Sequence, residues 1–116
     1  MQPAHWRSRD PDHVLDPLKV GPNICRKLME NERVRMLGVT FAPGDSIGVH
    51  SHPDHAVYAV TRGKLRVTTS DGKTQVADAK AGNPIWFPNV IHDAKNIGAT
   101  SLKLVVVELK ERPVMK

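Results

Sequence analysis

The segment GDSIGVHSHPDHAVYAVTRG, residues 44–63, decides the fold of this chain, together with a second segment, GNPIWFPNVIHDAKN, residues 82–96. Within the first segment three histidines fall in six residues, and His50 and His52 lie two residues apart. On an extended strand that spacing places both imidazoles on one face, where they can bind a single metal ion. A third histidine, His92, begins an alternating run in the second segment. The pattern predicts a metal site shared by two strands.

Short β-branched or alternating runs occupy most of the remaining chain. Seven are strand candidates: Val34–Phe41, Ala56–Thr61, Lys64–Thr69, Thr74–Ala77, Pro84–Phe87, His92–Ile97 and Leu102–Leu109. Between two of them, Ser70–Lys73 carries Asp-Gly, which favours a tight hairpin turn. Helical periodicity is nearly absent, and its one candidate, Ile24–Asn31, fits a strand about as well. We therefore expect an all-β sandwich or small barrel.

Length and composition limit the organisation of the chain. It has 116 residues, 40% hydrophobic and 25% charged, as expected for one globular domain. We expect a polar, proline-containing N-terminal arm at residues 1–20, a barrel at 21–112 and a short tail at 113–116. A domain this small supports only a small core, so self-association is favoured and a homodimer is predicted. The arm could then pack along the neighbouring subunit.

Charge and cysteine content argue against several other classes of protein. Lysine and arginine exceed aspartate and glutamate by 17 to 12, but the positive residues are scattered and no basic run is interleaved with aromatics. We therefore predict no nucleic-acid partner, only a mild attraction for anionic metabolites. The chain shows no apolar run of a signal peptide or membrane span, so no membrane association is expected.

Cys25 is the sole cysteine and excludes an internal disulfide, which predicts a cytoplasmic protein. Its thiol is either activated by Arg26 and Lys27 or simply buried.

The two segments carry a family resemblance. Gly44-x5-His50-x-His52, followed by Gly63, resembles the first motif of the cupin family, G-x5-H-x-H-x3,4-E-x6-G. The stretch Gly82-x5-Pro88, followed by His92-x3-Asn96, is similar to the second, G-x5-P-x-G-x2-H-x3-N. The resemblance covers a little under half of the chain. It implies a single-domain, double-stranded β-helix, that is, a jelly-roll cupin barrel.

Departures from the cupin motifs change the expected metal site. Ala56 stands where the family usually has a glutamate, and Val90 replaces the glycine of the second motif, which is also one residue shorter before its histidine. The resemblance leaves a neutral ligand set: His50, His52 and His92. Some cupins, including the thiol dioxygenases, similarly use three histidines around iron. His55 is a possible fourth ligand, although strict alternation points it away unless Pro53 makes a turn that breaks the parity.

A cation held by neutral imidazoles keeps its full charge and favours a small anionic ligand. The metal could be manganese, iron, nickel, copper or zinc, because imidazole suits several of them. The predicted function is a metal-dependent enzyme of the dioxygenase, isomerase or lyase type. The alternative is a non-catalytic binding or sensory module that lacks the acidic ligand, and a third possibility is a metal-free structural dimer.

Further site residues are expected from alternation along the strands. His55 and Tyr58 are the candidate catalytic bases, Tyr58 because it shares a face with Ala56; the competing interpretation is a core tyrosine at the barrel end. Leu65 and Val67 are predicted to point inward. The candidate pocket walls, which could equally be plain core residues, are Phe41, Trp86 and Phe87.

Overall fold

The strand candidates and the pattern of turns agree with the architecture of the chain. A computed structural model describes residues 15–110. Its elements are α1 (Pro17–Val20), β1 (Cys25–Glu30), β2 (Val34–Phe41), β3 (Ser46–His52), β4 (His55–Ala59), β5 (Gly63–Thr69), β6 (Thr74–Ala79), β7 (Pro84–Phe87), β8 (Val90–Asn96) and β9 (Leu102–Leu109). Each of the seven predicted strands is present. The ambiguous stretch Ile24–Asn31 contains a strand, β1, and not a helix.

Nine strands form two antiparallel sheets. One has the order β1-β2-β9-β4-β7 and the other the order β3-β8-β5-β6. Leu37 and Val106 of the first sheet share a buried hydrophobic core with Ile47 and Ala94 of the second, so the two sheets face each other. The prediction of an all-β, double-stranded β-helix is confirmed.

The predicted hairpin joins β5 to β6. Gly72 has a φ of +87°, a conformation that glycine adopts without steric penalty. The Gly72 amide donates to the carbonyl of Thr69, and the Thr69 amide donates to that of Lys73, both at 2.9 Å. This turn fixes the register that places Leu65 opposite Ala77. As predicted, Leu65 and Val67 face the interior.

The first described residues fold back onto the barrel. The carboxylate of Asp16 caps α1 by accepting from the amide of Leu18 at 2.9 Å. The Ser51 amide, in β3, donates to the carbonyl of Leu15 at 2.8 Å. Residues 15–20, predicted as the end of an arm, therefore contact their own barrel, whereas residues 1–14 and the predicted tail at 113–116 lie outside the described part. The helix found within residues 15–110, α1, has four residues, and no helical segment in that range could span a lipid bilayer.

Asn96, the final residue of β8, holds the loop after it. Its side chain is fully buried and its Nδ2 donates to the carbonyls of Phe41, at 3.0 Å, and Thr100, at 2.9 Å. Its Oδ1 accepts from the amide of Gly98 at 2.9 Å. The position that the second cupin motif assigns to asparagine thus satisfies three backbone groups.

Replacing Asn96 by alanine is expected to lower the free energy of unfolding by about 2–3 kcal/mol, because buried backbone groups would lose their partners. Urea unfolding followed by far-ultraviolet circular dichroism measures this loss. Asn31→Ala is the control, since Asn31 also accepts from two backbone amides but is exposed, so that water can replace it. Equal losses in the two variants would contradict the structural role given to Asn96.

Candidate metal centre

Three of the predicted ligands converge inside the barrel. His50 on β3 lies directly opposite His92 on β8, and their ring centroids are 4.7 Å apart. The ring of His52 lies 5.0 Å from that of His50 and 5.5 Å from that of His92. One ligand atom from each of the three rings lies within 4.8 Å of the others. The two-residue spacing and the β3–β8 pairing therefore bring together a group that can hold one metal ion.

Hydrogen bonds fix the orientation of the rings. Nδ1 of His50 lies 2.7 Å from the carbonyl oxygen of Gly48, and Nδ1 of His52 lies 2.6 Å from Oε2 of Glu108. Carbonyl and carboxylate oxygens only accept hydrogen bonds, so Nδ1 carries the proton in both rings and donates it. Nε2 then keeps its lone pair for a metal. Ligand histidines in metalloproteins are held in this way, so these residues fit a metal ion.

The electrostatics of the centre keep its imidazoles neutral. Burial lowers the pKa of His50 and, more strongly, that of His52. Burial, followed by the neighbouring rings of His50 and His52, lowers the pKa of His92 to about 2. At neutral pH the three rings are unprotonated at one nitrogen each, which is the form that binds a metal.

A partly buried ionic network that the sequence analysis missed supports His52. The Glu108 carboxylate accepts from His52 through one oxygen and, at 2.7 Å, from Nε of Arg35 through the other. The remaining guanidinium nitrogens of Arg35 donate to Asp16 at 3.0 and 3.1 Å. Because Glu108 lies on β9 and His52 on β3, this chain of contacts joins the two sheets. The signal for Glu108 was present in the sequence, because it has the same parity as the inward residues Leu102, Leu104 and Val106.

The structure places His55 in the interior. Its ring lines the cavity, lies 4.7 Å from the ring of His52 and stacks on that of Phe87 at 5.4 Å. Its Nδ1 donates to the carbonyl of Pro53 at 2.7 Å, which leaves Nε2 free of a proton. Burial lowers the pKa of His55, so this ring is also neutral. His55 therefore faces the interior from the edge of the three-histidine group.

The prediction that Tyr58 lies in the site is wrong. β4 begins with His55 pointing inward, so alternation turns Val57 inward and Ala56 and Tyr58 outward. Tyr58 is 47% exposed. The prediction assumed that Ala56 faces the metal, as the glutamate of the cupin motif does, whereas the inward position after the turn belongs to His55.

A cavity of about 220 Å³ adjoins the histidines. Phe41 and Phe87 line it, as the sequence analysis predicted. Trp86 does not, and that part of the prediction is wrong: Ile85 and Phe87 of β7 point inward, so Trp86 between them points outward and is 55% exposed. It lies beside Ala56 on the outer surface of the sheet.

Cys25 is a buried residue of the cavity wall. Burial chiefly, and then the negative charges of Glu108 and Asp16, raise the pKa of its thiol to about 12, although Arg35 opposes them. A thiol with this pKa stays protonated at neutral pH and is a poor nucleophile.

The reactivity of Cys25 tests this position. We expect iodoacetamide at pH 7.5 to leave the native protein unmodified over an hour and to alkylate it once in urea, as mass spectrometry would detect. Rapid alkylation of the native protein would contradict the buried position.

Fold and site together define a single-domain barrel of two antiparallel sheets with a histidine centre inside it. Residues 38–108 match the family model of the cupin domain. The chain belongs to the cupin family.

Solved structures agree with this assignment. A cupin domain from Bordetella pertussis is 30% identical, with 75% of this chain and 92% of that chain covered and a TM-score of 0.70. An RmlC-like cupin from Methanocaldococcus jannaschii, 22% identical over 75% of this chain and 79% of its own, has a TM-score of 0.63 and shares the double-stranded β-helix fold. A protein with such a domain from Klebsiella pneumoniae is 23% identical over 77% and 84%, with a TM-score of 0.59. No curated protein matches the sequence.

Proposed function

We propose that this chain is a metal-dependent cupin enzyme that holds a divalent transition metal on His50, His52 and His92 and acts on a small anionic metabolite. The observation that carries the proposal is the convergence of three neutral imidazoles, two of them with Nδ1 bound to an oxygen acceptor and Nε2 available. When bound, the ion would supply Lewis acidity or an oxygen-binding position. The reaction class is that of an oxygenase, isomerase or lyase.

The residues of the chain would have distinct tasks in such a site. The three ligand rings would hold the ion, and Glu108 would keep His52 in the tautomer that binds it. His55, neutral and directed into the cavity, is the candidate proton acceptor, because its Nε2 carries a lone pair. Phe41 and Phe87 would supply apolar wall around the ligand.

A non-catalytic binding or sensory module is the second candidate. Of the described residues that line the cavity, none is an aspartate or glutamate. Apart from the three ligand histidines, His55 is therefore the one side chain of the described cavity wall that is suited to act as a base. A chain that binds an anionic ligand on the metal without converting it would have this same lining.

Elemental analysis of protein purified without a histidine tag tests the proposal. We expect about one transition-metal ion per chain. A content no higher than trace would overturn the proposal of a metal-dependent protein. A screen of small carboxylates, ketoacids and thiols, read out by oxygen uptake and by product detection, then separates enzyme from binding module. Turnover that persists after the metal has been removed by chelation would contradict the proposed role of the ion.

We also propose that the protein is a homodimer, paired through the outer face of its larger sheet. Eight outward residues from four adjacent strands form this outer apolar face: Met36, Gly38, Ala56, Tyr58, Pro84, Trp86, Val105 and Val107. None of these eight is charged, and the nearest cations on the same face, Lys103 and Arg26, lie at its border, whereas an antiparallel sheet facing water normally carries polar residues on that side. A second copy supplies the same uncharged face, and pairing would bury it despite the net charge of +5.

Light scattering coupled to size-exclusion chromatography tests the dimer. Trp86→Glu is expected to yield a monomer of about 13 kDa. Val76→Glu is the matched control, because Val76 is 54% exposed, on the other sheet, and should leave the dimer intact. A monomeric unmutated protein would overturn the proposal.

A further inference from the structure

The wall of the cavity carries almost no polar group apart from the imidazoles. Apolar side chains from both sheets line it, among them Val39, Leu65, Val67, Ile85 and Leu104. The other polar lining residues are Cys25, Thr69 and Gln75, all uncharged at neutral pH. In the described part of the chain no lysine, arginine, aspartate or glutamate lines the cavity. The charge of a ligand can therefore be balanced only at the histidine end.

The route into the cavity is also mainly apolar. Ile85 and Phe87 of β7 line the cavity and yet are 36% and 38% exposed, and Gln75 and Ala77 of β6 line it from exposed positions. β6 and β7 are the edge strands of their sheets. The mouth thus lies between these two edges. The ring of Phe87 spans from the mouth to His55, on which it stacks.

We infer that the ligand of this site is a compact apolar monoacid, in which one anionic, metal-binding head is attached to an aromatic or branched hydrocarbon body. The inference rests on the proposed function, because the metal supplies the positive charge for the head. A second anionic group on the body would lie against hydrocarbon without a partner, which is strongly unfavourable. Nucleotides, and dicarboxylates whose second carboxylate lies away from the metal, are disfavoured on this ground.

The size of the cavity limits the body of the ligand. A cavity of about 150 Å³ lined by apolar side chains is large enough for benzene. The cavity here, at about 220 Å³, has room for one ring with a short acidic substituent. Larger ring systems would extend into the mouth between β6 and β7.

Two probe ligands that share the same aromatic ring test the inference. Phenylacetate carries one carboxylate, and (4-carboxyphenyl)acetate adds a second at the far end of the ring. Titration of Co²⁺-loaded protein, followed by the visible absorption of the ion, should show that phenylacetate binds at least about 100-fold more tightly. Equal affinity for the two probes would overturn the inference.

A positive charge placed at the mouth should weaken the preference for the monoacid. Ala77→Arg adds a cation on the inward side of the exposed strand β6, and we expect it to reduce the affinity ratio of the two probes to below about 10-fold. Val76→Arg adds the same charge to the outward side of the same strand and should leave the ratio unchanged. An equal change in both variants would show that net charge, and not the cavity wall, determines the selectivity.

The same samples separate this inference from the proposed function. If elemental analysis finds no bound cobalt, the proposed metal site fails. The apolar cavity is then tested in metal-free protein with toluene, whose binding should shift the methyl NMR signals of Leu65 and Val67. Absence of toluene binding to the metal-free protein would overturn the apolar cavity, whatever the metal content.

Discussion

Replacing Glu108 by alanine should lower the free energy of unfolding by about 3–5 kcal/mol, the usual effect of removing one partner from a buried ion pair. The Arg35 guanidinium and the Nδ1–H of His52 would both lose an acceptor, and the side chains of Glu108 and His52 are only 3% and 7% exposed. Asp16 still pairs with Arg35 and keeps the loss toward the lower end of that range. Urea unfolding of the metal-free protein measures the effect without a contribution from the ion.

The conservative variant Glu108→Gln separates positioning of His52 from general stability. The side-chain amide has one acceptor oxygen, so it can serve His52 or Arg35 but not both in the present geometry. We expect metal affinity to fall by about 10–100-fold, as is typical when the hydrogen-bond partner of a ligand histidine is changed. Competition with a chromogenic chelator gives the affinity directly.

Glu30→Gln is the control for this pair of variants. Glu30 also pairs with two cations, Lys27 and Lys110, but at the surface, where such contacts contribute about 1 kcal/mol or less. Its substitution should leave metal affinity unchanged. If Glu108→Gln also left it unchanged, the hydrogen bond from His52 to Glu108 would have no part in holding the ligand.

The fold could be predicted because its signals are local. Short alternating strands follow from residue order, and the Asp71-Gly72 turn can be identified from two residues. The convergence of His50 and His52 follows from the two-residue period of a strand. The pairing of His50 with His92 follows from the cupin resemblance, which implies that the two motif strands lie side by side. Those parts of the site could be predicted without a structure.

The error over Tyr58 arose where one turn sets the parity of a whole strand. The chain between β3 and β4 contains only Pro53 and Asp54, and it leaves His55 pointing inward. A shift of one residue there exchanges the two faces of β4, which moves Tyr58 from the site to the surface. Motif counting locates a position in the sequence but not the direction of its side chain.

The contact between Glu108 and Arg35 could not be predicted from the sequence, for a different reason. The inward parity of Glu108 can be read from β9, but its partners depend on the register between β2 and β9 and on the distance between the two sheets. Arg35 is separated from Glu108 by 73 positions. Such a contact is non-local, and the two residues show no pattern in common.

Replacing His50 by alanine is expected to reduce metal affinity at least about 100-fold, because a three-ligand site would become a two-ligand site. Chelator competition measures the affinity, and elemental analysis should show less than one ion per chain. The fold should remain, since the ring removed is neutral and its backbone acceptor, the carbonyl of Gly48, lies next to an exposed strand position.

His55→Ala is the matched variant, because it removes a neighbouring neutral imidazole that is also held by a backbone carbonyl. The three rings whose ligand atoms lie within 4.8 Å of one another do not include that of His55. We therefore expect this variant to keep about one ion per chain, with affinity reduced less than about 10-fold. A loss equal to that of His50→Ala would contradict the three-histidine centre and place His55 in the ligand set.

Thermal unfolding gives a second readout that does not depend on catalysis. An ion that binds only the folded chain stabilises it by about 2.7 kcal/mol when its free concentration is 100 times the dissociation constant. Addition of metal should therefore raise the Tm of the unmutated protein and of His55→Ala, and should leave that of His50→Ala nearly unchanged. If all three proteins responded alike, the ion would bind elsewhere, and the interior histidines would be ordinary polar residues of the core.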